Sequence, residues 1–532
     1  MTSVQRAPGA RPPWHDARPG RSVCGVTLRS GVAALARRAG RREGPGGRRA
    51  PAPSPSDAAL VADLVVALGE EGVRDDAALR ALVSHDASVY ERGRSGPVCF
   101  PRTTQQVQAV VRAAVQHGRA VVPRGAGTGL AGGAVPLGAP VVVALTRMNR
   151  ILEVDVDNRV AWVEPGVVNL DLSRHLRPMG FHFAPDPSSQ QACTVGGNVA
   201  NNSGGPHCLA YGVTSSHVLA VDVVLPDGEL VRLGGLGSEP AGYDLRGAFI
   251  GGEGTLGIAT RIAVRLTPNP PSVKTLLLAF PAVHAAADTV GAIIAAGIVP
   301  AALEVMDRRI TEAVERYVHA GYPTDAAAVL LAEVDGLPAG VEAAAEHIAA
   351  IGVQHGASSV RRAANEEERA ALWKGRKTAF GVVARIRPNY YLHDTVVPRG
   401  RLAEVLEEVY AVAARHDLLV VNVFHAGDGN LHPLLLFDRQ EPGVMDRVLA
   451  AGAEIVAASL AAGGVLSGEH GIGVEKREYM PLMFGPDDLD HQNRLRRAFD
   501  PACRANPGKV LPAGHSCADI QALEAVPEGV WV

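Results

Sequence analysis

Residues 124–138, RGAGTGLAGGAVPLG, limit what this chain can fold into more than any other stretch. Gly127, Gly129 and Gly132 stand at G-x-G-x-x-G spacing, and Glu153 follows about 20 residues on, as in a dinucleotide-binding βαβ unit. That fingerprint works only where it opens a helix. Here Pro136, Gly138 and Pro140 follow at once, and proline removes an N–H and clashes with the preceding turn. A doubly wound Rossmann unit is therefore excluded. What remains is a loop between two short apolar runs, RAVVP and VVVAL, whose bare N–H groups can converge on an anion such as a pyrophosphate. Taken alone, the same residues would also serve as a surface loop.

Two further glycine-dense stretches favour the cradle: PDPSSQQACTVGGNVANNSGGPHCLAYG at 185–212 and GGEGTLGIAT at 251–260. Between them VLAVDVVLPDGELVRL reads as a hairpin turning at Asp227-Gly228. Three glycine loops in one β-rich region point to a long ligand threaded between elements. Upstream, an amphipathic helix opened by Asp57 is expected. A second helix is capped by Thr103 or Thr104 and stopped by Gly118.

At 532 residues the chain needs more than one core. The expected division is a leader at 1–57, a cofactor domain at 58–270, a second α+β domain with an antiparallel sheet at 271–512, and a tail at 513–532. The leader is rich in Arg, Gly and Pro and cannot bury a core, so disorder is expected. Lysine occurs only at 274, 374, 377, 476 and 509, which suggests GC-rich coding with an over-extended start rather than an organelle transit peptide. A net charge of −3 and the lack of a basic aromatic-interleaved patch argue against nucleic acid. No apolar run approaches a membrane span of about 20 residues. The six cysteines form no C-x-x-C, which argues against an iron–sulfur cluster and fits a reducing, cytoplasmic location.

The second half holds VVNVFHAGDGNLHPLLLF at 420–437. If Asp428-Gly429 is a two-residue turn, His425 and His432 stand directly opposite each other, with Cβ atoms about 4.5–5.5 Å apart. Two such imidazoles can share a divalent ion. A pair satisfied by backbone or solvent is the alternative, and a one-residue slip would part the rings. GGVLSGEHGIGVEKREYM adds Glu469 as a third donor and His470 beside it, with glycines that allow close approach of a ligand. LWKGRKTAF contributes Arg376, whose planar fork suits a carboxylate.

PRGAGTGLAGG, TVGGNVANNSGG, YGVTSSHVLAVDVVLPDGE and GGEGTLGI together resemble the FAD-binding half of the vanillyl-alcohol-oxidase/PCMH flavoproteins. With the second-half motifs, the set is similar to the branch that holds the catalytic flavin chains of glycolate oxidases and the FAD-dependent D-lactate dehydrogenases. The resemblance implies an α+β fold, a PCMH-type domain of two α+β subdomains followed by a cap domain. It implies that Arg124, Gly125, Ala126, Gly127, Thr128 and Gly129 hold the FAD pyrophosphate. It implies that Pro187, Thr194, Gly196, Gly197, Asn198, Asn202, Gly204 and Gly205, with Glu253, Thr255, Gly257 and Ile258, line the ribityl chain and isoalloxazine, and that Asn506 approaches the ring. No histidine occupies 123–136, so FAD is expected to be non-covalent. His425, His432 and Glu469 are implied as ligands of a divalent metal of the zinc kind, and His470 as general base.

The reaction so implied is oxidation of a short D-2-hydroxy acid, glycolate or D-lactate, with hydride passing to flavin N5 and Arg376 anchoring the carboxylate. Relatives acting on 2-hydroxyglutarate carry a lysine where Leu392 stands, so D-2-hydroxyglutarate dehydrogenase is the second reading. A flavin transferase like alkyl-glycerone-phosphate synthase and a non-catalytic flavin chain are the readings from other classes. Electrons are expected to leave through a partner protein, cytochrome or quinone, in a multi-subunit or homo-oligomeric assembly, free in the cytoplasm or peripheral at a membrane face.

Overall fold

A computed structural model describes residues 55–89, 93–237 and 242–513. The expectations for most of the leader and the tail lie outside them. The first helix, Pro55–Leu68, places Asp57 in its first turn, not at the cap, because proline suits the opening of a helix, where its missing N–H has no partner to lose. The second, Thr104–Gln116, is capped as expected: the Thr103 hydroxyl accepts from the Gln106 N–H at 3.2 Å.

The cofactor half is built on two sheets. In the first, Val98–Cys99 and Val121–Arg124 flank Val141–Ala144, both parallel to it. The second is antiparallel, in the order Ile151–Asp155, Val160–Val163, Ile258–Arg265, Val218–Val224, Leu230–Gly234. The Asp227-Gly228 turn is a three-residue loop, since Leu225 pairs with Glu229 and Gly228 takes φ 88°. The glycine loops leave the ends of these strands. The chain also returns from its far end: Val121 donates to Arg504 and accepts from Asn506, so Ala505 lies beside Val121 in parallel pairing.

The cap is an antiparallel sheet of nine strands, seven of them in the main order, with Ser272–Phe280, Ala328–Gly336, Ala302–Asp307 and Leu419–His425 adjacent at its centre. Successive residues of Ser272–Phe280 enter opposite cores. Leu276, Leu278 and Phe280 pack with Val290, Ile293, Val341, Val405 and Val448 on one face. Leu277 and Ala279 pack with Ile310, Val314, Leu372 and Trp373 on the other. Helices cover both faces, so the strand reads as one apolar run rather than an alternation. Among the described residues no helix is long and apolar enough to cross a membrane. Among the described residues Cys99, Cys193 and Cys208 are free thiols and Cys503 is disulfide-bonded.

Candidate active site

The hairpin register differs from the expected one. His425 pairs with Asn430, Val421 with Leu434 and Asn422 with Pro433. The turn is therefore centred on Gly427-Asp428. Gly429 donates to Ala426 and takes φ 81°, while neither central residue has a positive φ, so this is not the primed turn that Asp-Gly suggested. The reason is a backbone contact: a Cβ on Gly429 would lie 2.2 Å from the Val397 carbonyl, so only glycine fits there. The displacement is two residues, which preserves the face. His432 becomes a diagonal neighbour of His425, and the ring centroids are still 5.0 Å apart.

Nitrogen atoms of His425 and His432 and a carboxylate oxygen of Glu469 all lie within 4.8 Å of one another. The donor set suits a zinc-like divalent ion. Both ring nitrogens of His432 are buried without a hydrogen-bond partner, an arrangement that a bound cation would resolve. Glu469 Oε1 is 3.3 Å from His425 Nε2 and 3.5 Å from His432 Nε2. Glu304, which no local sequence signal marked, sits behind: its carboxylate meets His425 Nδ1 at 2.8 Å and Arg376 Nη2 at 2.5 Å. A carboxylate on the far nitrogen fixes the ring orientation and leaves Nε2 for the ligand. Burial would lower the His425 pKa, but Glu304 and Glu469 outweigh it and hold it well above the usual value. A cation would replace that proton.

A second trio, Asp394, His432 and His470, also converges. Its carboxylate is already filled. Asp394 Oδ2 accepts from Ser467 Oγ at 2.6 Å and from the N–H groups of Glu469 and His470, Oδ1 accepts from Gly468, and Lys476 Nζ lies at 3.4 Å. It therefore organises the 467–470 loop. His470 stacks on His432, with centroids 5.0 Å apart and planes 12° from parallel. Burial pushes its pKa down to about 4, so the ring is neutral at neutral pH.

One cavity of about 550 Å³ joins the halves. It is lined by Arg124, Gly125, Ala126, Gly127, Thr128 and Gly129, by Pro187, Thr194, Gly196, Gly197 and Asn198, and by Glu253, Gly257 and Ile258. Glu469 and His470 line it too. The cradle fits a dinucleotide. Arg124 Nη1 is buried without a partner, and a Cβ on Gly125 would lie 2.5 Å from Thr194 Oγ1. Thr194 itself caps Val195–Asn201, accepting from Gly197.

The remaining predicted residues are not on that lining. Asn202, at φ 51°, accepts from the Ser215 N–H. Thr255 donates to Gly252, and a side chain at Gly204 or Gly205 would strike Glu469 or Asp186. Asn506 donates to the Gly133 and Glu253 carbonyls, tying two loops together. Arg376 is fully buried beside His425, its Nε and Nη1 without partners. The apolar side chains of Leu130, Phe380, Tyr390 and Leu392 also face the cavity, as does Lys377, whose Nζ is 3.4 Å from Asp186.

Two families match the chain. The family described as "FAD binding domain" matches residues 97–234, and "FAD linked oxidases, C-terminal domain" matches 269–510. The chain is 45% identical to "Glycolate oxidase subunit GlcD" of Escherichia coli (strain K12), over 80% of this chain and 85% of that protein. It is 34% identical to "D-lactate dehydrogenase" of Anaerostipes hadrus, over 80% and 92%. The fold is shared with p-cresol methylhydroxylase at 18% identity, with a TM-score of 0.74, covering 87% of this chain and 98% of that one.

Proposed function

The chain belongs to the FAD-linked oxidases of the glycolate oxidase and D-lactate dehydrogenase type, enzymes acting on CH–OH groups, and on that premise we propose that it oxidises a short D-2-hydroxy acid, glycolate or D-lactate, to the 2-oxo acid. The observation that supports this is the shared cavity, lined both by the three glycine loops and by Glu469 and His470.

FAD, held non-covalently, supplies the two-electron acceptor, and a divalent cation on His425, His432 and Glu469 supplies an electrophile for the substrate hydroxyl. The protein does the rest. His470, neutral near pH 7, takes the hydroxyl proton. Arg376 is the residue for the substrate carboxylate, through its unpartnered Nε and Nη1, although its guanidinium is fully buried, off the cavity lining and already paired with Glu304. Leu130, Phe380, Tyr390 and Leu392 form an apolar wall that suits hydrogen or methyl at the α-carbon and keeps water out. Lys377 is the one observation in favour of a dicarboxylate such as 2-hydroxyglutarate, although Asp186 already neutralises it. Electrons then leave through a partner protein, cytochrome or quinone. The word "subunit" in a relative's name supports a multi-subunit assembly.

Anaerobic mixing with glycolate, D-lactate, L-lactate and 2-hydroxyglutarate tests the reading. Flavin bleaching by glycolate or D-lactate is expected, and its slowing by about 100-fold or more in His470→Ala with FAD still bound. No bleaching by either acid refutes the substrate assignment. Unchanged bleaching in the variant refutes the base.

A further inference from the structure

We propose that Glu253 is a positioning residue: reaching out of the cofactor half, its side chain sets the loop that carries His470. This rests on the reading of His470 as base and adds what holds it in place.

The loop is gripped from both halves. Asp394, of the cap, accepts from the N–H groups of Gly468, Glu469 and His470. Immediately downstream, Glu253 Oε1 accepts from Ile472 at 2.7 Å and Gly473 at 3.1 Å. Asn201 donates to the His470 carbonyl at 2.8 Å, and the Ala131 carbonyl accepts from Val474 and Glu475. His470 therefore sits where the chain passes from the grip of the cap to that of the cofactor half. The fit at that point is tight: a Cβ on Gly471 would lie 2.7 Å from Glu253 Oε1, and one on Gly473 would lie 2.0 Å from the Ala131 carbonyl.

Glu253 is itself rigidly held. It is 5% exposed and takes φ 51°, a left-handed conformation that a non-glycine residue keeps only when its surroundings over-determine it. Its N–H donates to Ala200 and its carbonyl accepts from Asn506 Nδ2. Because Glu253 also lines the cavity beside Gly254 and Gly257, its side chain ties the loop that carries His470 to the wall of the cofactor half.

The test compares Glu253→Ala, Glu253→Asp and Glu253→Gln in the FAD-loaded protein. Alanine and the shorter aspartate lose the contact to both N–H groups, whereas glutamine keeps an accepting Oε1. Amide hydrogen exchange of peptide 471–474 is expected to quicken by about tenfold or more in the Ala and Asp variants and to be largely restored by Gln. kcat should fall about 10- to 100-fold with KM within about threefold, and Gln should recover most of that loss. Added to His470→Ala, Glu253→Ala should slow flavin reduction no further. Unchanged exchange in Ala and Asp, or an equal further loss in the His470→Ala background, overturns the proposal. If one variant does not fold, the other decides. A wild type that reduces no flavin with any hydroxy acid defeats the functional reading, and the exchange comparison then still decides the clamp.

Discussion

Glu304→Gln removes one charge from the buried row Arg376–Glu304–His425 while keeping its shape. Arg376 Nη2 and Glu304 Oε2 are 2.5 Å apart and both side chains are fully buried. At an effective dielectric of about 20 their attraction is about 7 kcal/mol, most of it offset by desolvation. The neutral amide leaves the guanidinium buried without a counter-charge, with Nε and Nη1 already unpartnered. Breaking one side of a buried pair costs about 3–5 kcal/mol, a large part of an ordinary stability of about 5–15 kcal/mol. His425 also loses the carboxylate on its Nδ1, and loss of such a partner weakens metal binding about 10- to 100-fold. Urea denaturation measures the first effect and competition with a chelator the second. In a cycle with Arg376→Met, the double variant should cost at least about 2 kcal/mol less than the sum of the singles. Stability within about 1 kcal/mol of wild type with undiminished metal affinity would refute the reasoning, as would simple additivity.

His425→Ala should cut bound metal, seen by elemental analysis; wild-type content would remove the histidine from the ligand set. His207 lies between Asp186 at 2.9 Å and Glu333 at 3.4 Å, and although burial lowers its pKa, these carboxylates raise it to about 10. A raised pKa means that its contribution to stability is complete below about pH 6.5 and is lost as pH climbs through 10. The melting temperature should therefore decline between pH 7 and 10, and His207→Gln should flatten that slope; equal slopes would contradict the ion pairs. Leu392→Lys should raise kcat/KM for 2-hydroxyglutarate relative to D-lactate by about tenfold or more, read from flavin reduction with each acid, and an unchanged ratio would show that Leu392 lies off the substrate's path.

Much of this was legible because the signals are local. Prolines after the first glycine loop ruled out a helix there, and the loop duly opens into the cavity without one. The His425–His432 pairing was legible in face but not in register. An Asp428-Gly429 turn follows from local preference, whereas the Val397 carbonyl, just past the strand Thr395–Val396, decides which residue must be glycine. Glu304 and Asp394 escape a sequence reading as parts of the site because each is one carboxylate in an apolar strand or in the short link between two strands, and what makes it matter lies far along the chain. The motifs EVMD and LHDTVV are visible in the sequence, but nothing local ties Glu304 to His425 or Asp394 to the 467–470 loop. The same holds for Asn506, whose side chain knots two loops of the other half.

The parallel contact of Ala505 with Val121 has a consequence for biosynthesis. A ribosome releases the strand leading into the first glycine loop long before the stretch that seals its flank. The nucleotide half cannot be finished, or close on its yellow guest, until the whole cap has emerged behind it. Truncation just after Phe499 would spare the cap's central sheet, yet the product should leave the column colourless.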